Sequence, residues 1–322
     1  MNKTLLLDEL EDKGLLDTER RVLIEEYEKS KPVSLFVFIR TLLYTSISAF
    51  VGAVGVLIYQ NIDTIGHSVL IGLIALATAG CFYYVFKNGT AYRSEKVEQS
   101  APFFDVVLLL GCLLFLALEG YLQYQYEVFG IRYGMAVMIP CVLFFYLAYR
   151  YDHQGVLSLA VTALASWVGL SATPSKLLVE NDFSDPEVIR NAVIFGAVML
   201  VGSWFLKKQK IKAHLTYTYI LLAGTLYLSA CLGGMFSQDH WQFVFGLLLA
   251  VGCWYLYKNA LEEKSLFFLL LSTIFSYVGF TYLLFNNVSN ALMEALGSFY
   301  VLASAAGVVW FFLTYKKILG KK

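Results

Sequence analysis

Long apolar runs divide this chain into segments of the length that crosses a lipid bilayer. The runs are about 18 to 25 residues long, and a helix of that length spans a hydrocarbon core about 30 Å thick. These runs are continuously apolar, as in GVLSLAVTALASWVGL, whereas apolar and polar residues alternate along the strands of membrane barrels. Only 15% of the residues are charged, against about one quarter in soluble domains. The sequence therefore predicts an all-α, polytopic transmembrane helical bundle that contacts the lipid bilayer.

Ten such spans follow a charged N-terminal segment. We therefore predict a ten-span transmembrane domain over residues 34–322, preceded by a separate segment over residues 1–33. The predicted spans are 36–60, 67–87, 102–126, 132–150, 155–172, 189–207, 214–236, 241–258, 265–285 and 293–315.

Residues 1–33 have the pattern of two short amphipathic helices separated by Gly14, the second beginning at the capping residue Asp17. Helices this short are not stable alone, so we expect a helical hairpin that packs on itself or on a protein partner. The alternative is a charged spacer next to the membrane. The predicted docking face for a cytoplasmic or membrane protein consists of Leu6, Leu10, Leu23 and Tyr27.

The basic residues predict how the chain is threaded, because Lys and Arg in short loops favour the cytoplasmic side. With ten spans, both termini lie on the same side. If that side is the cytoplasm, it holds all of the 24 Lys and Arg residues except Arg132, Lys176 and Arg190. We therefore expect both termini in the cytoplasm.

Each inward-going span ends in aromatic residues followed by a cation. The five cations are Lys87, Arg150, Lys207, Lys258 and Lys316. One explanation is duplication of a helical hairpin, as in transporters built from repeats. The other is that every such helix end places aromatic rings and a cation at the membrane interface.

The third span carries a carboxyl group inside its apolar run, in LALEGYLQYQYEVFG. At 100° per residue, Glu119 shares one face with Asp105, Gln123 and Tyr126, and these four residues form the candidate intramembrane polar site. The two carboxyl groups are separated by about 21 Å along the helix, so they do not touch. Glu119 should lie about 8 Å inside the external surface.

Two interpretations of Glu119 are open. It is a proton or cation site at the floor of an external pocket lined by Gln123, Tyr121, Tyr124 and Tyr126, because ionisable groups within a membrane usually serve a function. Alternatively, it is a neutral acid that hydrogen-bonds a Ser, Thr or Tyr of a neighbouring helix and holds the bundle together.

Other chemistry has little support in the sequence. The five cysteines lie in apolar runs without metal-ligand spacing, no two of the four histidines are four residues apart, and the net charge is zero. We therefore expect no metal, no cofactor, no nucleic-acid partner and no enzymatic activity.

Three stretches resemble a known family: LLLDELEDKGLLDTERRVLIEEY, LLLGCLLFLALEGYLQYQYEVFG and YRYDHQGVLSLAVTALASWVGL. Together, over about residues 4–30 and 100–172, the chain resembles the bacterial predicted membrane proteins of domain of unknown function 2157. The resemblance implies the inner membrane of a bacterium. It carries over no catalytic or binding residue.

Two functions fit these features. The first is a non-enzymatic scaffold or sensor that docks a partner through the N-terminal hairpin. The second is a transporter of protons or a small solute that uses Glu119 in an outward-facing polar pocket.

Overall fold

The computed structural model describes residues 16–17, 20–21, 23, 35–90, 92, 103–130, 133–172, 184–209, 212–288 and 290–320. Most of the predicted N-terminal hairpin, with Leu6, Leu10 and Tyr27, lies outside the described residues. At the predicted start of its second helix, the backbone N–H of Arg21 donates to the carbonyl of Asp17 at 2.9 Å, the bond of one helical turn. Leu23 follows in helical conformation.

Ten α-helices of at least 19 residues make up nearly all of the described residues, which contain no strand. This confirms the all-α prediction. The helices are α1 (Leu35–Ile65), α2 (His67–Asn88), α3 (Phe104–Tyr126), α4 (Tyr133–Tyr151), α5 (Gln154–Ala172), α6 (Pro186–Gln209), α7 (Thr216–Ser237), α8 (Gln242–Glu262), α9 (Leu266–Asn287) and α10 (Asn290–Ile318).

Each predicted span falls on one of these helices. Among the described residues, eight helices are long and apolar enough to cross a membrane, and α1 and α5 contain shorter apolar segments, Thr41–Val56 and Gln154–Gly169. The chain is therefore a polytopic membrane protein. The helix α1 extends to Ile65 rather than to residue 60, because its polar end remains helical until Gly66, whose φ of 78° favours glycine.

The chain forms two structural units, residues 1–64 and 65–322. Residues 35–64 of helix α1 belong to the first unit. In the second unit, helices adjacent in sequence pack as antiparallel pairs. Tyr121 near the end of α3 contacts His67 at the start of α2, whereas Gly111 in the middle of α3 lies against Phe82 of α2.

A core of buried apolar side chains holds α6 to α9 together. Leu228 and Met235 of α7, Leu256 of α8 and Phe268 of α9 are fully buried in it, and Leu319 just beyond α10 packs on the same cluster. Burying one such side chain contributes about 1.5 to 3 kcal/mol relative to water, but lipid is itself apolar, so close packing decides the geometry here.

Most of the described cations of the second unit lie at one end of the bundle, which we call the basic end. Arg150 donates to the carbonyl of Thr90 beyond α2, and Lys207 of α6 pairs with Glu262 of α8. Lys87, Arg150 and Lys208 each lie over a nearby aromatic ring, at 5.1 to 5.9 Å from its centroid. These local contacts favour the interfacial explanation of the aromatic and basic pattern.

Candidate functional site

The Glu119 carboxyl group is buried in the apolar part of α3. Its side chain is 8% exposed, and neither Oε1 nor Oε2 has a hydrogen-bond partner among the described residues. Leu108 and Cys112, three and two turns earlier on the same face, are fully buried. The packed apolar face of α3 therefore includes the Glu119 carboxyl group, although such a group normally hydrogen-bonds to water or to a polar side chain.

The depth of Glu119 follows from its place in the helix. It lies seven residues before Tyr126, the last residue of α3, which corresponds to about 10 Å of rise. A charged carboxylate at such a depth costs roughly 2.5 to 3.5 kcal/mol or more, whereas a neutral acid costs less. An interhelical hydrogen bond would also lower this cost, but the described residues supply none to Glu119.

The other residues of the predicted polar site do not converge on Glu119. The Gln123 amide forms two hydrogen bonds with the turn after α3. Its Nε2 donates to the carbonyl of Gly130 at 3.0 Å, and its Oε1 accepts from the N–H of Phe129 at 3.0 Å. Tyr126 is 51% exposed, and Asp105 lies in the first turn of α3 at the basic end.

The remaining tyrosines of this stretch also have other surroundings. The Tyr121 hydroxyl lies 2.8 Å from Nδ1 of His67, joining the ends of α3 and α2, and Tyr124 is 77% exposed. Tyrosines at such positions are typical of the membrane interface. The candidate site within the membrane therefore centres on one carboxyl group.

A second polar site, which the sequence reasoning did not identify, lies at the basic end. Asp152 in the turn between α4 and α5 contacts two residues of the connection between α6 and α7. The Lys212 ammonium lies 2.7 Å from the Asp152 carboxylate, and Nε2 of His214 lies 3.0 Å from its Oδ1. The side chains of Asp152 and Lys212 are both 1% exposed. We call these three residues the basic-end cluster.

The backbone and an aromatic ring help to fix the basic-end cluster. Asp152 and Lys212 both have left-handed backbone conformations, with φ of 56° and 47°. Such conformations cost on the order of 1 kcal/mol or more for residues other than glycine, so the surrounding contacts must hold them. The ring of Tyr92 lies 4.7 Å from the Lys212 ammonium, and Nδ1 of His153 accepts from the N–H of Val156, which caps α5.

Only a weak signal for this cluster is present in the sequence. Asp152 and Lys212 are 60 positions apart in loops that each look like ordinary charged connections, YRYDHQ and KKQKIKAHL. Only the packing of the two loops brings their charges together. The signal that could have been used is a carboxylate within a turn of two residues between two apolar helices, where burial is hard to avoid.

No group of three or more His, Cys, Asp and Glu side chains suited to a metal ion occurs in the part of the chain that the structure describes. Four of the five cysteines are buried and all five are free thiols. The basic-end cluster itself contains one carboxylate and one imidazole beside an ammonium, and the ammonium repels a cation. Its chemistry is that of a buried ion pair.

Comparison with known proteins agrees with the resemblance found in the sequence. Residues 8–157 match the family model described as "Predicted membrane protein (DUF2157)", a stretch that includes both Glu119 and Asp152. No curated protein and no solved structure matches the chain.

Proposed function

We propose that this polytopic membrane protein, which shares residues 8–157 with a family of predicted membrane proteins, transports protons or a small solute through a site centred on Glu119. One observation carries the proposal. Glu119 is a buried carboxyl group within an apolar helix, and no described residue hydrogen-bonds it. A carboxyl group buried at such a cost, with no hydrogen-bond partner among the described residues, is best explained by a proton or solute that binds it reversibly.

A proton is the simplest such partner. The neutral acid is compatible with the apolar surroundings of Glu119, whereas the carboxylate needs a cation or water. Transfer of a proton to and from the carboxyl group would therefore change which species can occupy the site. A solute with a cationic or hydrogen-bonding group would bind in exchange for that proton.

The direction of access follows from the placement of the helix ends. Glu119 is about 10 Å of helix rise from the end of α3 that lies opposite the basic end, and about 22 Å from the other. We propose that the basic end faces the cytoplasm of a bacterium and that Glu119 is reached from outside the inner membrane. The concentration of cations at one end supports this orientation.

Proton flux tests transport of the proton itself, which needs no knowledge of the solute. The full chain is reconstituted into liposomes that contain a pH-sensitive dye, and a pH gradient is imposed. Wild-type protein should dissipate the gradient faster than protein-free liposomes, and Glu119→Gln should not, because an amide cannot release a proton in this range.

Glu127→Gln is the matched control. Glu127 is an exposed acid directly after the same helix, so its loss removes a carboxyl group but not the buried one. The control should keep the wild-type flux. If Glu119→Gln keeps that flux and changes only the thermal unfolding of the protein, Glu119 is a structural residue and the transport proposal is wrong.

A scaffold or sensor is the second candidate, and it rests on the N-terminal segment. Leu23, one of the four residues of the predicted docking face, is in helical conformation and its side chain is 64% exposed. An exposed leucine within a charged segment provides apolar area for a protein partner. We propose that Leu23, with Leu6, Leu10 and Tyr27, contacts a cytoplasmic or membrane protein.

Affinity purification from membranes tests the docking role. Replacing the four residues of the predicted face by alanine should abolish recovery of the partner, whereas replacing the charged residues Arg20 and Glu25 of the same segment should not. Unchanged recovery with all four alanines would contradict it. Neither candidate function involves an enzymatic reaction, and we propose none.

A further inference from the structure

Two adjoining cavities lie on the face of the bundle where α6 and α8 flank α7. The larger has a volume of about 340 Å³ and is almost entirely apolar, with Val201 of α6 and Val251 of α8 among its lining residues. The smaller has a volume of about 170 Å³ and lies at the basic end. Trp204 and Tyr255 line both cavities, so an apolar groove leads directly into a polar pocket.

Close packing of α7 against α8 forms the floor of the groove. A Cβ atom at Gly252 would lie 2.6 Å from a ring carbon of Tyr227, so only glycine lets this ring lie flat beneath the groove. The Tyr227 hydroxyl donates to the carbonyl of Leu248 at 3.0 Å, which fixes the ring. The rims of the groove are open, since Val201, Val251 and Trp254 are each more than half exposed.

The groove and pocket together match one leaflet of a bilayer in length. From Ala197, at the deep end of the groove, to Lys208 in the pocket, the rise along α6 is about 16 Å. Half of a hydrocarbon core is about 15 Å. A lipid acyl chain lying in the groove would therefore bring its headgroup to the polar pocket.

Cations dominate the polar pocket. Three lysines line it, Lys207, Lys208 and Lys258, together with the single carboxylate of Glu262. Lys207 is already engaged, at 2.9 Å from Glu262 and 2.8 Å from Glu263. Among the described residues, no carboxylate pairs with Lys208, which lies over the Trp204 ring, or with Lys258. In the part of the chain that the structure describes, two of the three ammonium groups of the pocket thus have no paired carboxylate.

We propose that the α6–α8 groove and the lysine pocket together bind one phospholipid with a net negative headgroup. The acyl chain occupies the apolar groove, and the phosphate group accepts from Lys208 and Lys258. Trp204 and Tyr255 lie at the level where the chain meets the headgroup, as such rings do at membrane interfaces. A zwitterionic lipid fits the groove equally but brings an extra cation to the lysines.

Native mass spectrometry of the full chain in detergent tests this assignment. The protein is titrated with phosphatidylglycerol and with phosphatidylcholine that carry the same acyl chains. Each lysine near an anionic headgroup strengthens binding about fivefold, so the two together give wild-type protein a preference of roughly 30-fold for phosphatidylglycerol. The variant Lys208→Gln/Lys258→Gln should lose that preference and still bind phosphatidylcholine like the wild type.

The matched control is Lys316→Gln/Lys317→Gln, which removes two exposed lysines at the end of α10, outside both cavities. It should retain the preference. Equal binding of the two lipids by wild-type protein, or equal loss of preference in both double variants, would overturn the proposal. Lys208 and Lys258 are exposed, so we expect the variants to fold. Thermal unfolding without added lipid verifies this.

Discussion

The ammonium of Lys212 lies 2.7 Å from the carboxylate of Asp152, and both side chains are 1% exposed. This ion pair joins the turn between α4 and α5 to the connection between α6 and α7. Burial removes the water that would otherwise solvate both charges, so each depends on the other. The pair therefore determines how the first helices of the second unit pack against the later ones at the basic end.

Removing one partner of this ion pair should destabilise the protein strongly. Asp152→Asn leaves the Lys212 ammonium buried beside a neutral amide. Lys212→Met removes the ammonium from beside the buried carboxylate, which then keeps only weaker contacts such as that with His214. Each single variant should lose about 3 to 5 kcal/mol of unfolding free energy, and the double variant should lose less than the sum. Denaturation with sodium dodecyl sulfate in mixed micelles measures these values.

The exposed pair Glu187 and Arg190 is the control for the ion-pair prediction. Their side chains are about 60% exposed and 3.9 Å apart, so Glu187→Gln should change the unfolding free energy by less than about 1 kcal/mol. If Asp152→Asn changed it as little as Glu187→Gln does, the buried pair would not contribute to stability.

Close approach of α6 and α7 at Gly196 gives a second prediction. A Cβ atom there would lie 2.8 Å from Cβ of Tyr227 and 3.0 Å from its Cα, so at least one of the two helices must shift. We expect Gly196→Ala to lower the unfolding free energy by about 1 to 3 kcal/mol, because overpacking forces the helices apart.

Gly202, two turns later on the same helix, provides the comparison. It has no atom within 4 Å of an added Cβ, so Gly202→Ala should be neutral or stabilise by up to about 1 kcal/mol through helix propensity. Equal effects of the two alanines would contradict the close helix approach at Gly196.

Orientation of the bundle gives a third prediction. Glu187 and Gln209 lie at opposite ends of α6, and both are exposed. In intact cells, a membrane-impermeant maleimide should label Glu187→Cys, whereas Gln209→Cys should be labelled only after the membrane is permeabilised. The wild-type protein provides the background, because its five cysteines lie within the helices. The reverse pattern would place the basic end outside.

Much of the fold could be predicted because lipid imposes one demand on every span. Apolar stretches of membrane length must be helical to satisfy their backbone hydrogen bonds, and this requirement alone located all ten helices. The end of α1 was missed because the segment IYQNIDTI is polar enough to leave the membrane and is still helical. Hydropathy measures the preference for lipid, and a helix can extend beyond the bilayer.

The site was predicted less well because packing determines it. Periodicity grouped Glu119 with Gln123 on one face of α3, but it could not show that the Gln123 amide hydrogen-bonds the turn at Phe129 and Gly130. The Asp152 and Lys212 pair depends on contacts between distant loops, which no local pattern encodes. Residue spacing predicts which side chains share a face of one helix, but it does not predict which loops or helices contact one another.

Reaction of Glu119 with an apolar carbodiimide tests the central claim most directly. Dicyclohexylcarbodiimide partitions into membranes and adds to protonated carboxyl groups, and mass spectrometry of peptides locates the adduct. If Glu119 exchanges protons with water through an external path, it should be modified, and its rate of modification should fall as the pH rises. Glu119→Gln should remove the adduct, and Glu127→Gln should not. A Glu119 that stays unmodified, or that reacts at the same rate at every pH, would contradict the account.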